Sequence, residues 1–452
     1  MSQAITPKRV PKVKTKYRSI QTAIPAPQSI PILEQLRQVE PQSMQGQPPI
    51  VWDRADGFQV HDAWGNTWID WSSGVLVANA GHGRPEIVRA ITEEAKKTLL
   101  HNYCFPSEIR ARLVQKLSSI APRPLEKVFL LTTGAETTEC AIKLARTHGR
   151  AVGGDKKIAV VSYEGAFHGR TLGAQQIGGI PALKEWIVNL DPDFVQVPFP
   201  DGFRGADEKF STFLSALEQK GFGPDRIAGV ISETYQGGSA GFMPKQYAQD
   251  LAAWCKKHDI VLIMDEVQAG FGRCGTMWGF EHYGIVPDIA CCGKGITSGL
   301  PLSAVLGRAD LMDQYPPGSM TYTHTGNPIC AAAALANVDI IVNENLAAKA
   351  ADAGAVLHGG LQKIKDRHPD ICGALMGKGM VAGLHMVKPG GREPDAELAG
   401  RIVDLCIEKG LLMFHPVGFG SATVKICPPL ITPIDAVKEA LGVLEEAIKE
   451  AL

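Results

Sequence analysis

The chain of 452 residues lacks an excess of charge of either sign, with 46 Lys plus Arg against 47 Asp plus Glu and a net charge of -1. No global field draws in nucleic acid or an anionic membrane, so any partner must be recognised locally. Long hydrophobic runs are missing too. The least charged stretch, 314–338, carries Pro316, Pro317, His324, Asn327 and Pro328, which a membrane-spanning helix would not gather in hydrocarbon. Ten cysteines form no C-x-x-C pair, Cys291 and Cys292 being the nearest neighbours, so neither a zinc site nor a disulfide framework is indicated and no metal is expected. Reduced thiols in the cytoplasm are the simplest account. Acidic residues are absent before Glu34, whereas Lys8, Arg9, Lys12, Lys14, Lys16 and Arg18 precede it, as an organelle transit peptide would require. Four prolines before Ile30 oppose the amphipathic helix of such a peptide, and no apolar signal core follows. An extended arm, disordered or wrapped around a neighbouring subunit, is expected instead.

What is present describes a globular protein, 45% hydrophobic and 21% charged, too long for one core of about 100 to 200 residues. Short apolar runs recur at 127–131, 158–162, 227–232 and 260–264, each followed by a turn and then a helical pattern. That alternation predicts an α/β domain with a mostly parallel sheet, and the continuous "IVLIM" implies a strand buried on both faces. "IACC" and "LSAVLG" read as a further strand pair around a Gly-rich loop. "CAAAALANVDIIV" reads as a long helix, able to link the sheet domain to a smaller C-terminal one. From Asp435 onward, Val437, Leu441, Leu444, Ile448 and Leu452 line one helix face.

Four features carry possible chemistry. In "LLTTGAETTECAIKLAR" a strand passes through Thr132, Thr133, Gly134 and Ala135 into a helix, whose first amides and positive dipole end make an anion site; a plain Thr-capped turn is the rival. Asp265 ends "IVLIM", at the carboxyl end of a strand where ligands of parallel sheets bind. Such a carboxylate must meet a cation or several donors, either a cationic ring nitrogen or a structural partner. Lys294 lies between Gly293 and Gly295, in a tight loop that lowers an amine pKa and so favours Schiff-base formation. A Walker A lysine would need Gly at 288 and Ser or Thr at 295, where Asp288 and Gly295 stand. In "SYEGAFHGRT" a strand ends in Phe167, His168, Gly169 and Arg170, offering rings to stack on a planar group and a guanidinium to clamp a carboxylate, or merely surface packing and a salt bridge. Gly270, Gly272 and Gly275 match the dinucleotide fingerprint, but "DEVQA" separates them from the strand and the bulky "TMWGFEHYG" is a poor helix.

A phosphate site, a carboxylate, a stacking ring and an amine together are what pyridoxal phosphate requires. From Gly57 to "KICPPLITP", the order "TTGAE", "FHGRT", "DEVQAGFGR", "GKGITSGLPL", "HTGNP" resembles the class III (ω-amino acid) aminotransferases of fold type I. That resemblance implies a large α/β domain with a mostly parallel seven-stranded sheet, residues 76–335, and a smaller α+β domain from both chain ends, 1–75 and 336–452. It implies Lys294 as the Schiff-base lysine and proton carrier, and Asp265 as the partner of the ring nitrogen. Gly134 and Ala135 would hold the phosphate, Phe167 and His168 would lie against the ring, Gln268 would contact the ring hydroxyl, and Glu233 would complete the cofactor contacts. Thr323 would reach the neighbouring subunit's phosphate, implying a homodimer or a pair of such dimers. Val75, Arg170 and Lys425 become the candidate substrate contacts.

Where the family's 4-aminobutyrate and ornithine enzymes have a second glutamate five residues after the first, "ETYQGGSAG" has Gly238, and Lys425 in "ATVKICPP" replaces the arginine that grips an α-carboxylate. The two losses agree, because that glutamate neutralises the arginine when a donor without an α-carboxylate binds. The expected reaction passes an amino group from an ω-amino acid or amine to a 2-oxo acid, pyruvate or 2-oxoglutarate. A racemase, epimerase or phospho-lyase on the same fold is the alternative. A non-catalytic cofactor carrier and a nicotinamide oxidoreductase account for fewer of these residues.

Overall fold

Apolar runs of four to seven residues in the middle of the chain assemble side by side because helices cover their faces. In the computed structural model, which describes residues 5–204 and 207–452, they form β1 (Lys127–Leu131), β2 (Ala159–Tyr163), β3 (Phe194–Val197), β4 (Ile227–Glu233), β5 (Val261–Asp265), β6 (Ile289–Cys292) and β7 (Ser303–Gly307). The order across the sheet is β1-β7-β6-β5-β4-β2-β3. β7 runs antiparallel to both neighbours, and every other adjacent pair is parallel. All residues of β4 and β5 are buried, as a strand covered on both faces requires.

Helix α1 (Gly134–Gly153) follows β1 and begins at a capping box: the Thr133 hydroxyl accepts the Glu136 amide, and the Glu136 carboxylate accepts the Thr133 amide in return. It buries Cys140, Ala141, Leu144 and Ala145 in a core shared with Ile231, Ile263, Ile289 and Val305. Helix α2 (Lys245–Lys257) buries Tyr247, Ala248, Leu251 and Cys255, one face at spacings of three and four. The alanine-rich stretch becomes α3 (Pro328–Asn343), started by Pro328 and by the Asn327 side chain, which accepts the amides of Ile329 and Cys330. It packs against the helices Pro85–Lys96 and Glu108–Ile120.

Chain contacts divide the protein into a unit Pro85–Ala348 and a unit formed by both ends, up to Arg84 and from Lys349. Both boundaries fall later than the sequence suggested. The reason at the first is local: Gly57 and His82 exchange backbone hydrogen bonds of 2.9 and 2.8 Å, and Leu430 donates to Asn79, so 76–84 close onto the terminal unit. That unit is α+β. It holds an antiparallel sheet of Cys372–Lys378, Val381–Met386 and Thr423–Ile426, a second sheet around Thr67–Asp70, and the helix Ile434–Ala451 with Val437, Leu441, Leu444 and Ile448 buried. From residue 5 onward the basic arm is docked, not free: Lys8 pairs with Glu408, Lys16 with Asp435 and Arg18 with Glu439 at 2.6 to 2.9 Å. All ten cysteines are free thiols. Among the described residues no single helix is long and apolar enough to cross a membrane.

Gly149 shows how tightly α1 lies on the sheet, since an added Cβ would stand 2.2 Å from the Lys157 carbonyl oxygen and 2.6 Å from the Ala228 methyl. Helix propensity alone would make Gly149→Ala stabilising by about 1 kcal/mol. Packing reverses the sign, and urea unfolding of Gly149→Ala should show a loss of about 1 to 3 kcal/mol.

Candidate active site

Because β2, β4, β5 and β6 are parallel, their carboxyl ends meet at one edge of the sheet, where ligands of this architecture bind. Asp265, the last residue of β5, stands opposite Glu233 on β4 and Cys291 on β6. Glycines then let the loops beyond those strands touch. A Cβ at Gly134 would lie 2.9 Å from Val267, and one at Gly293 would lie 3.3 Å from Val267 and 3.7 Å from the Gly134 Cα. The head of α1, the turn after Asp265 and the residue before Lys294 are therefore in contact. Gly169, with φ of +132°, packs on Ala135, where a side chain would come within 2.6 Å.

Three buried ionisable groups gather at the end of β5: His168 is 3% exposed, Glu233 4% and Asp265 5%. The Asp265 carboxylate accepts the Val267 amide on one oxygen at 3.0 Å and faces His168 Nδ1 on the other at 2.8 Å. Burial works against the imidazolium, but the hydrogen bond and charge of Asp265, aided by Glu233, outweigh it, so the His168 pKa is raised. Thr138 on α1 donates its hydroxyl to the His168 carbonyl at 2.8 Å and fixes the residue from behind. Burial also pushes the Glu233 carboxyl up to about 7, against the nearby His168.

Lys294 opens a single 3-10 turn with φ of +43°, a left-handed backbone that costs a side-chain-bearing residue on the order of 1 to 3 kcal/mol. Asn337 of α3 holds that turn, donating to the carbonyls of Gly295 and Ile296 at 2.8 and 2.9 Å and accepting from Ser298. Desolvation lowers the amine pKa, and the charges of Asp265 and Glu233 only partly offset it. Gly134 and Ala135 head α1, where first-turn amides have no intrahelical partner. A side-chain-free cradle at 134 and 293, a helix start, a buried carboxylate and an amine with a lowered pKa fit the donors that pyridoxal phosphate needs.

Of the residues singled out from sequence, Gly134, Ala135, Phe167, His168, Glu233, Asp265, Gln268 and Lys294 belong to the sheet-containing unit, on the loops and strand ends at this edge. The motif around Phe167 needs a correction. β2 ends at Tyr163, and Phe167, His168 and Arg170 lie on the following loop, because the chain turns at Gly165 with φ of +78° and pairs there with Gly179. Arg170 is exposed, its guanidinium 5.8 Å from the centre of the Phe167 ring. Thr323 is exposed on the same unit, whereas Val75 and Lys425 lie in the other unit, Lys425 being 2% exposed on Thr423–Ile426.

Sequence reasoning passed over Asn337 and Glu266. Asn337 was detectable as a lone polar residue in an apolar helix. Glu266, fully buried, accepts the Thr234 hydroxyl and the amides of Gly279 and Phe280, so it fixes the turn that carries Asp265 and Gln268; nothing local in "DEVQ" announces those partners.

The family model described as Aminotransferase class-III matches residues 42–448. An alanine/serine racemase of Pyrococcus horikoshii is 33% identical over 89% of this chain and 86% of its own length. The 4-aminobutyrate aminotransferase GabT of Escherichia coli is 32% identical, covering 89% of this chain and 94% of its own. The solved structure of a thermostable (S)-enantioselective omega-transaminase from Thermomicrobium roseum superposes with a TM-score of 0.83 at 28% identity, covering 93% and 95% of the two chains.

His168→Ala strips the Asp265 carboxylate of its buried partner and should cost about 3 kcal/mol or more of unfolding free energy. Because the folded imidazole has the raised pKa, its contribution is full below the ordinary histidine range and is lost as pH rises through the raised value. Urea titrations of both proteins across pH 5 to 9, about the histidine range, should therefore show the gap narrowing toward alkaline pH.

Proposed function

We propose, from the premise that this chain belongs to the class III aminotransferases, that it moves an amino group from an ω-amino acid or simple amine to a short 2-oxo acid. The family depends on pyridoxal phosphate. The observation that carries the reading is the convergence of Lys294, Asp265 and the head of α1 on one sheet edge.

When bound, pyridoxal phosphate supplies an aldehyde for an amino group and a ring that draws electrons from the bond being broken. The residues divide the remaining work. Gly134 and Ala135 present amides and the positive end of α1 to the phosphate. Asp265 would pair with the ring nitrogen, and His168 Nδ1 aims that carboxylate through their 2.8 Å contact. Phe167 would lie against the ring, and Gln268 would serve the ring hydroxyl. Lys294, whose amine pKa is lowered by desolvation, would hold the cofactor at rest and would carry the proton away from the substrate carbon. Arg170 is available for a carboxylate at the far end of an ω-amino donor.

A homodimer belongs to this reading. Thr323 stands on an exposed segment bonded to an apolar one: the Tyr103 hydroxyl meets Thr321 Oγ1, and Asn327 donates to the Leu100 carbonyl, both at 2.8 Å. Leu99, Leu100, Tyr103 and Phe105 are 40% to 73% exposed there, a surface suited to a second copy that would bring Thr323 to the neighbouring phosphate. Ten free thiols support a reducing compartment, the cytoplasm.

Incubation with an ω-amino acid and no oxo acid should release the matching aldehyde once per site, and added pyruvate should then emerge as alanine. Racemisation of alanine without net amino transfer would instead favour the activity named for the Pyrococcus horikoshii relative. Lys294→Ala should fold yet lose both the visible absorption of covalently held cofactor and turnover; wild-type turnover in that variant would assign the proton transfer elsewhere.

Lys425 offers a point charge in place of a planar fork, so selection for 2-oxoglutarate should be weak and pyruvate should serve at least as well. Lys425→Arg should move kcat/KM toward 2-oxoglutarate and penalise donors lacking an α-carboxylate. Adding Gly238→Glu should restore those donors. Strictly additive effects across wild type, both single variants and the double variant would show that the two positions act independently.

A further inference from the structure

Glu233 is the ionisable group in this cluster whose role follows least from the chemistry above. Its carboxylate, buried at the end of β4, is divided between two loops. One oxygen accepts the Phe167 amide at 3.0 Å and the other accepts the Gly237 amide at 2.9 Å. Gly237 in turn lies against Gln268, where an added Cβ would stand 2.1 Å from Nε2 and 2.8 Å from the Glu233 oxygen. Phe167 follows β2, Gly237 follows β4 and Gln268 follows β5, three strands adjacent in the sheet.

We infer that Glu233 is a positioning residue that straps these three loops together, setting the Phe167 ring through its backbone and the Gln268 amide through Gly237. The inference rests on the proposed reading of the site, in which Phe167 and Gln268 face the cofactor. Only a carboxylate does this well. Both loops present N–H donors, and a carboxylate is an acceptor on both oxygens, whereas the isosteric amide of glutamine must turn an NH2 toward one of the two donors. Direct contact with the cofactor is not required for the effect. The buried carboxyl group is accommodated because it is hydrogen-bonded on both oxygens and lies near His168, with Asp265 as the opposing like charge.

The test uses the full-length holoenzyme and Glu233→Gln, which preserves volume and removes one acceptor. Its thermal midpoint should stay near that of the wild type. Pyridoxal phosphate should dissociate about tenfold faster, as expected for loss of one hydrogen bond to a charged group. The visible circular dichroism of the remaining bound cofactor, per mole held, should weaken because the ring is less firmly seated. Glu233→Asp, which keeps both acceptors on a shorter stem, should recover part of both signals. Gly237→Ala, which presses on Gln268 from the other arm of the strap, should reproduce the dichroism change. Dissociation and dichroism unchanged in Glu233→Gln would overturn the inference. So would cofactor loss that merely follows a fall in thermal midpoint, since Glu233 would then be structural alone. A wild-type protein that holds no pyridoxal phosphate would overturn the proposed function, and this inference with it.

Discussion

A carboxylate placed at the end of a strand that is buried on both faces cannot be left alone. Asp265 is in that position because β5 runs through the middle of a helix-covered sheet and ends at the edge where the loops gather. Its burial would be costly unless donors arrive. They arrive from two directions, as the Val267 amide and the His168 imidazole. His168 in turn needs Thr138, Phe167 beside it needs Glu233, and Gln268 depends on the turn that Glu266 fixes from beneath. The rest of the site can be followed outward from this one buried charge.

Close backbone approach is the second condition, and glycine meets it. The head of α1, the turn after β5 and the Lys294 loop could not share one volume if Gly134 or Gly293 carried a side chain, because Val267 already occupies that space. Lys294 adds local backbone strain at φ of +43°, and the strain persists because Asn337 of α3 grips the carbonyls of Gly295 and Ile296. The long apolar helix thus does more than fill the core. Its single buried amide aims the loop that carries the amine.

Electrostatics in the cluster are balanced between opposing tendencies. Glu233, Asp265 and Glu266 bring three buried carboxyl groups against His168 and Lys294. Burial lifts Glu233 and Glu266 to about 7, while the same burial depresses Lys294.

The sequence by itself determined six of the seven strands of the large sheet, the start of α1 and the position of Asp265, because each depends on nearest neighbours: runs of Val, Ile and Leu, a Thr cap, and a charge at the end of an apolar run; the short β3 was not legible there. The order of motifs along the chain was enough to name the family it resembles. Tertiary structure alone decided who touches whom. His168 and Asp265 are 97 positions apart, and Phe167 and Glu233 are 66 apart; they meet because β4 lies between β5 and β2 in the sheet. The same holds for Asn337 and the Lys294 loop, and for the unit boundary at Arg84, where residues 76–84 join the terminal unit by bonds to Gly57 and Leu430. Local periodicity encodes which segments become strands and helices, but strand order is set by the packing of the whole sheet, and it is strand order that brings distant loops to a common edge.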